Sequence, residues 1–341
     1  MRARREAAIA LATMPDDPWT FAESLAASAS APAKANAREQ CGIEDGPQFS
    51  KPATDDEKEV QTRAATSRFA SAQARIDAAL RASADPLDRA VADLLNVGDM
   101  RSPDGAVEAV VQQAAGSVDP RLYAVGVALC RSGRATPACA RISLARWIQV
   151  DPGNGVPWVY ALNEARARGN EPAVRDAMAH LASSSRFDVR LNAIGGVVAA
   201  HVPEDASELA AANALEEKAV GIAAAMPFPG FESLLQTCRG HAGGDERLEQ
   251  QCTAIGNTMF EHSDSFLGLS ISGLLQLQMT GDSSRRDYVR AERAVLNAHW
   301  SPATGFSPCQ DIRDSMNLLL RMSQVGEVET LRERAKKFVT P

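Results

Sequence analysis

Residues 150–178 read VDPGNGVPWVYALNEARARGNEPAVRDAM, and the fold is decided by this stretch. Asp151-Pro152 is a helix-start signal, because Asp caps free backbone N–H groups and Pro has no N–H to leave unpaired in the first turn. A helix-compatible run follows as far as Gly169-Asn170, a pair typical of a turn. A second run follows that turn. The stretch therefore predicts a hairpin of two helices that starts at Asp151.

The same rhythm extends along the chain, with ten to eighteen helix-compatible residues between breaks. Alanine, the best helix former, dominates the apolar residues, and no alternating run indicates a sheet. The sequence therefore predicts an all-α protein. The expected breaks are Asp85-Pro86, Ser102-Pro103, Asp119-Pro120, Thr136-Pro137, Asp151-Pro152, Gly169-Asn170, 186–188, Pro203, 227–229, Gly243-Gly244, Gly281-Asp282 and 302–308.

Three parts are expected along the 341 residues. Residues 1–29 would form N-terminal helices at about 3–14 and 18–29. Residues 30–56 contain three prolines and few large apolar side chains, which indicates a linker or a loosely docked loop. Residues 57–341 would form a helical-repeat domain that begins with a longer helix over 57–82.

The Asp-Pro pairs recur nearly in phase, since Asp119 follows Asp85 by 34 residues and Asp151 follows Asp119 by 32. Asp-Pro is also a common helix start, so any stack of short helices could produce such spacings. Over about 138–184 the junction 150–154, Trp158 and Gly169-Asn170 resemble the tetratricopeptide pattern. The chain departs from that pattern where Leu162 and Trp147 replace small residues. The resemblance implies a right-handed solenoid of antiparallel helix pairs, each packed only on its neighbours.

The bulk composition argues against two classes of partner. The net charge is −7, so the chain as a whole does not attract nucleic acid. No run approaches ~20 consecutive apolar residues, so no membrane span is expected. Residues 3–14 are expected to form an ordinary amphipathic helix. The alternative is that the chain starts downstream of an export signal.

A search for catalytic motifs predicts that the chain is not an enzyme and holds neither cofactor nor metal. Residues 268–272 approach a nucleophile elbow but lack the closing glycine, and no strand precedes them. Residues 153–155 lack the third glycine of a phosphate loop and are better explained by a helix–helix turn. The five histidines show no metal-ligand spacing, and the carboxylates are spread over helix faces.

Six cysteines are the remaining feature. Cys130 and Cys139 stand at mirror positions about one expected turn, and Cys238 and Cys252 stand likewise about another. We predict that each pair forms a disulfide that staples one hairpin, a pattern that resembles secreted cysteine-rich helical repeats. The alternative is that these cysteines are small buried apolar residues. Cys41 and Cys309 could pair only by elimination.

Three functions are open on this basis. The first is a non-catalytic scaffold that presents a concave groove to a protein or peptide. The second is an accessory or catalytic part of a cell-envelope hydrolase, for which exposed Glu residues are available; a deep pocket with two facing carboxylates in the structure would favour it. The third is a zinc-stabilised domain with ligands Cys238, His241, Cys252 and His262. Persistent disulfides would place the chain in the periplasm or outside the cell.

Overall fold

The computed structural model describes residues 55–96, 105–132, 136–190, 192–201, 206–224, 226–239, 245–298 and 308–339. The helices expected at 3–14 and 18–29 lie outside these residues, as does the 30–56 segment up to residue 54. Over the described ranges the chain forms fifteen α-helices, one 3-10 helix and no strand longer than an isolated bridge. The prediction of an all-α protein is confirmed for this part of the chain.

The helices follow each other with short connections. In chain order they are α1 (Asp55–Ala82), α2 (Pro86–Leu95), α3 (Gly105–Gly116), α4 (Pro120–Arg131), the 3-10 helix (Pro137–Arg141), α5 (Leu144–Val150), α6 (Val156–Ala167), α7 (Glu171–Ser183), α8 (Ala193–Ala200), α9 (Ala206–Ala224), α10 (Glu232–Arg239), α11 (Glu246–Glu261), α12 (Phe266–Thr280), α13 (Ser284–Ala298), α14 (Pro308–Val325) and α15 (Glu327–Val339). Among the described helices, none combines the length and apolar character that crossing a bilayer requires.

Several predicted boundaries are confirmed by local hydrogen bonds. The Asp85 carboxylate accepts from the backbone N–H of Leu87 at 2.8 Å, and Asp119 caps α4 in the same way. At the other end, Gly169 follows α6 and Gly281 follows α12 with φ of +63° and +70°. Glycine adopts this left-handed conformation without a steric cost, which explains why both helices end there.

The expected helix start at Asp151 is wrong. Helix α6 begins at Val156, whose backbone N–H donates to the Asn154 side-chain oxygen at 3.1 Å. Asp151 is only 2% exposed and binds arginine side chains instead of helix N–H groups. The carboxylate is therefore used for a long-range contact, and the turn 151–155 delays the helix.

The apolar core has three clusters, and α4 contributes to two of them. Leu122, Val125 and Leu129 face a cluster formed with α1 to α3, α8, α9 and α14. Tyr123 and Val127, on another face of α4, join α5 to α7 and α10 to α12. The third cluster lies among α12 to α15. Each cluster buries the apolar stripes of several helices.

Packing is not confined to helices that are neighbours in sequence. Helices α8 and α9 return to the beginning of the domain and pack on α2, and α9 also packs on α1. Both contact α14 as well. The Lys218 ammonium of α9 donates to the backbone carbonyl of Leu95 at the end of α2. The expectation that each pair packs only on its neighbours is therefore not met within the described residues.

An extended segment, residues 186–190, connects α7 towards α8, and we call it the strap. The backbone N–H of Gly155 donates to the carbonyl of Arg186 at 2.8 Å, and the N–H of Phe187 donates to the carbonyl of His262 at 2.9 Å. The Phe187 side chain is fully buried. The strap therefore ties the turn 151–155 to the turn 262–265.

Candidate functional site

A polar cavity opens beside the strap, and its volume is about 310 Å³. It lies where the strap, the turn 262–265, the turn between α14 and α15, and the beginning of α4 meet. Charged side chains dominate its lining, together with a few apolar residues such as Met322 and Val328. Its charged lining includes Arg121, Asp188, Arg190, His262, Asp264 and Arg332.

A buried ion network supports one wall of the cavity. The carboxylate of Asp151, with 1% of its side chain exposed, accepts from Arg186 and from Arg190, the latter at 3.2 Å. Arg186 also donates to Asp188 at 2.7 Å. The Asn154 amide completes the network with a bond to Asp151 at 2.8 Å. Because a carboxylate as buried as that of Asp151 must be paired, its bonds to Arg186 and Arg190 hold the strap in one conformation.

Asp264 is the structural centre of the site. Its two carboxyl oxygens accept from the backbone N–H groups of Val189 and Arg190 at 2.9 and 2.7 Å. Arg190 has a φ of +59°, the only positive φ at a described residue other than glycine. A left-handed conformation costs free energy for a residue with a Cβ, so these two bonds hold a strained backbone.

The environment of Asp264 also changes its acidity. Burial, with a further contribution from the Asp188 carboxylate, raises the pKa of Asp264 to about 7. The cavity thus contains two neighbouring carboxyl groups, one of which stays protonated well above its ordinary range. A carboxyl group with a raised pKa is used for acid–base chemistry in some enzymes. Here the same carboxyl already accepts two backbone hydrogen bonds, which is a structural role.

Glu327 links the turn between α14 and α15 to the backbone around Asp264. Its carboxylate accepts from the backbone N–H of Phe266 at 3.0 Å, and its own backbone N–H donates to the carbonyl of Asp264 at 2.7 Å. Burial raises the pKa of Glu327, against a lowering by Arg293. These bonds join the beginning of α12 to the beginning of α15.

A second, mostly apolar groove lies next to the cavity, between α4, α5 and α6. Trp147, Tyr160 and Val125 line it, together with residues 226–229. About 50 Å³ of space is left open. Arg190 lines both the groove and the polar cavity, so the two openings form one continuous surface around the strap.

The structure joins the four cysteines for which disulfides were predicted, in the predicted pairs. Cys130 and Cys139 have an S–S distance of 2.04 Å and a Cα–Cα distance of 5.6 Å. For Cys238 and Cys252 these distances are 2.05 and 5.9 Å. Cys139 lies in the 3-10 helix and not in an α-helix. Cys41 lies outside the described residues, so its pairing with Cys309 stays open.

The zinc hypothesis finds no ligand set in the described part of the chain. Cys238 and Cys252 are bonded to each other, and His241 lies outside the described residues. His262 is exposed at the end of α11, ten residues from Cys252 along the same helix, which corresponds to about 15 Å. No group of three or more potential metal ligands occurs among the described residues.

Residues 153–155 and 268–272, the two stretches that come close to catalytic motifs, have structural roles. Gly153 has a φ of +83° within the turn before α6, in agreement with the predicted helix–helix turn. Residues 268–272 lie inside α12, where Ser270 and Ser272 donate to backbone carbonyls of their own helix. Neither serine is placed as a nucleophile.

Sequence reasoning missed the residues that form the site, because it treated 186–188 only as a break. The sequence does contain a signal for the extended conformation of this segment. In the segment RFDVR charged and apolar residues alternate, which is typical of an extended chain with one buried face. The partner Asp264 is about 75 residues away and carries no local signal.

Comparisons with protein-family models, curated proteins and solved structures find no significant match.

Proposed function

We propose that the chain is a non-catalytic binding protein that holds an extended segment of a partner protein or peptide on the surface around the strap. The observation that carries this proposal is the open polar cavity of about 310 Å³, continuous with an apolar groove. Small-molecule pockets begin near 300 Å³, and this volume suits one or two amino-acid side chains. The cavity lining contains both acidic and basic side chains, which suits a polar segment of the partner.

The engagement of the carboxylates supports binding over catalysis. Asp151 is bound by Arg186 and Arg190, and Asp264 is bound by two backbone N–H groups. Arg332 on the far side is bound by Glu292 at 2.7 Å. A wall built from paired charges presents a rigid, preorganised surface to a ligand, which lowers the entropic cost of binding.

We further propose that residues 138–184 are a tetratricopeptide-like unit. The hairpin of α6 and α7, with its turn at Gly169-Asn170, supports this proposal. Trp158 stacks on His180 across the hairpin at a centroid distance of 3.9 Å. Leu162 and Trp147 are both buried, so the two departures from the repeat pattern fill the core.

We also propose that the chain works in the periplasm or outside the cell. Both disulfides support this location, because stable disulfides form in oxidising compartments and are rare in the cytosol. Mass spectrometry of unreduced peptides tests it. Alkylation of all six thiols in freshly isolated native protein would contradict both the bridges and the location.

Site-specific photocrosslinking in the native cell tests the binding function. A photoreactive residue at position 262 stands at the cavity, where the His262 side chain is 59% exposed. The matched control places it at Arg175, exposed on α7 and away from the cavity lining. We expect a discrete adduct from position 262 only. No adduct, or the same adducts from both positions, would contradict the proposal.

A hydrolase acting on a cell-wall polymer is the second candidate, favoured by the neighbouring Asp188 and Asp264. In such an enzyme the protonated Asp264 would act as general acid and Asp188 as base. If this candidate holds, purified chain releases soluble fragments from cell-wall polymer and both Asp264→Asn and Asp188→Asn stop the release. The binding function predicts no release by any of the three proteins.

A further inference from the structure

The backbone of the strap is held to its surroundings in two different ways. The N–H of Phe187 donates to the carbonyl of His262 at 2.9 Å. The N–H of Asp188 donates to the side-chain oxygen of Asn154 at 3.1 Å. Neither acceptor gains or loses a proton near neutral pH, so these two bonds do not respond to pH.

Val189 and Arg190, which we call the latch, are held instead by a group that titrates. Their backbone N–H groups donate to the two carboxyl oxygens of Asp264 at 2.9 and 2.7 Å. Asp264 is the only acceptor of these two N–H groups within the described part of the chain. The latch also contains the φ of +59° at Arg190, a conformation that costs free energy and that opening would relieve.

The latch lies between the two openings of the site. Arg190 lines both the polar cavity and the apolar groove, and Val189 lines the groove. If the latch parts from Asp264, the cavity of about 310 Å³ and the groove merge into one wider opening, and water reaches the carboxyl group.

Asp264 is surrounded by charged groups of both signs. Besides Arg190, the charged and titratable groups of the neighbouring elements are Asp188 on the strap, Glu261 and His262 at the end of α11, Glu327, Glu329 and Arg332 on α15, Arg293 on α13 and Arg121 on α4. Burial and the Asp188 carboxylate raise the pKa of Asp264 to about 7, against a lowering by the two N–H groups and the Arg190 side chain. Once the latch is open, water solvates the carboxylate and its pKa returns towards 3.8.

We propose that the latch is a pH-sensitive switch in the wall of the cavity, which opens when Asp264 loses its proton and parts from the N–H groups of Val189 and Arg190. The open latch binds fewer protons than the closed one, so its share rises by up to about tenfold per pH unit between about pH 4 and pH 7 and then levels off. Only the consequence for a partner, a wider binding surface near neutral pH, rests on the proposed binding function.

Hydrogen exchange of single backbone amides tests the switch in the oxidised full-length chain, by NMR at pH 5, 6, 7 and 8. Each rate, divided by that of an unstructured amide, gives an opening constant. For Val189 and Arg190 we expect this constant to rise about a hundredfold from pH 5 to pH 7 and then to level off. At pH 7 it should exceed the constants of Phe187 and Asp188 by about tenfold or more, because those amides exchange only in larger openings.

Two matched variants identify the group that titrates. In Asp264→Asn the opening constant of the latch should not depend on pH, since an amide does not titrate. Glu261→Gln removes an exposed carboxylate from the lining of the same cavity and should retain the full dependence. If Asp264→Asn does not fold, Asp188→Asn replaces it. Loss of this like charge lowers the pKa of Asp264, so the rise should level off at a lower pH than in the wild type.

Three results would overturn the switch: opening constants of the latch that do not change with pH, equal constants for all four strap amides, or an unchanged rise in Asp264→Asn. Exchange is measured without a partner, so these results are independent of the crosslinking at position 262, which tests the proposed function.

Discussion

At the scale of single residues, Gly155 shows how tightly the strap is packed. A Cβ at this position would lie 2.3 Å from the buried ring of Phe187. We expect Gly155→Ala to lower the free energy of unfolding by about 1–3 kcal/mol, because the ring and the turn must move apart. Gly221→Ala in α9, where nothing lies within 4 Å, should instead be neutral or stabilise by about 0.5–1 kcal/mol. Urea unfolding of both variants measures the contrast, and equal effects would contradict this account of the packing.

Asp264 should make stability depend on pH. The folded chain keeps the proton on Asp264 up to about pH 7, whereas the unfolded carboxyl loses it near its ordinary pKa of 3.8. Between these values the folded state binds more protons, so stability falls as pH rises from about 4 to 7 and levels off above. Glu327, whose pKa is also raised by burial, acts in the same direction.

We therefore expect Asp264→Asn to remove on the order of 3 kcal/mol of the difference in stability between pH 5 and pH 8. Urea unfolding at both pH values measures this. Asp176→Asn, at an exposed carboxylate, is the control and should retain the full dependence. An unchanged slope in Asp264→Asn would show that another group titrates.

At the scale of helices, two similar Asp-Pro sequences have different roles. Asp85 caps α2, and Asp85→Ala should cost about 1 kcal/mol, the usual value of a lost N-cap. Asp151 lies in the buried network, and Asp151→Ala should cost about 3 kcal/mol or more because Arg186 and Arg190 lose their shared partner. Thermal unfolding compares the two variants. A cost for Asp151→Ala no larger than that for Asp85→Ala would contradict the role of the network.

Each disulfide closes one connection between helices. The pairs are separated by 9 and 14 residues, and the loop-closure term grows only with the logarithm of length. Replacing either pair by serine should therefore cost about 3 kcal/mol in both cases. Thermal unfolding of the two double variants and of the reduced wild type measures the loss. If reduction leaves the midpoint of the wild type unchanged, the bridges do not stabilise the fold.

At the scale of the whole molecule, the return of α8 and α9 onto α1 and α2 should make folding depend on distant parts of the chain. A linear repeat array tolerates removal of its last units, because each unit contacts only its neighbours. We expect a chain ending at residue 201 to lose cooperative thermal unfolding, since α2 then lacks its α9 partner. Circular dichroism measures this. A cooperative transition with the midpoint of the full chain would contradict this prediction and favour a linear repeat array.

The sequence by itself determined the class of fold and most helix boundaries. The helix ends at Asp85, Asp119, Gly169 and Gly281 could be predicted, because a few neighbouring residues decide capping and left-handed turns. The two disulfide pairings could be predicted for the same reason, since each pair spans a single connection between helices.

Only the tertiary structure decided the rest. Nothing near Asp151 distinguishes it from the capping residues Asp85 and Asp119, yet contacts with arginines 35 and 39 residues away bury it and move the start of α6 to Val156. Asp264, about 75 residues from the strap, and the packing of α9 on α1 depend likewise on long-range contacts. Such contacts are selected by the free energy of the whole fold, where burial and charge pairing override local preference.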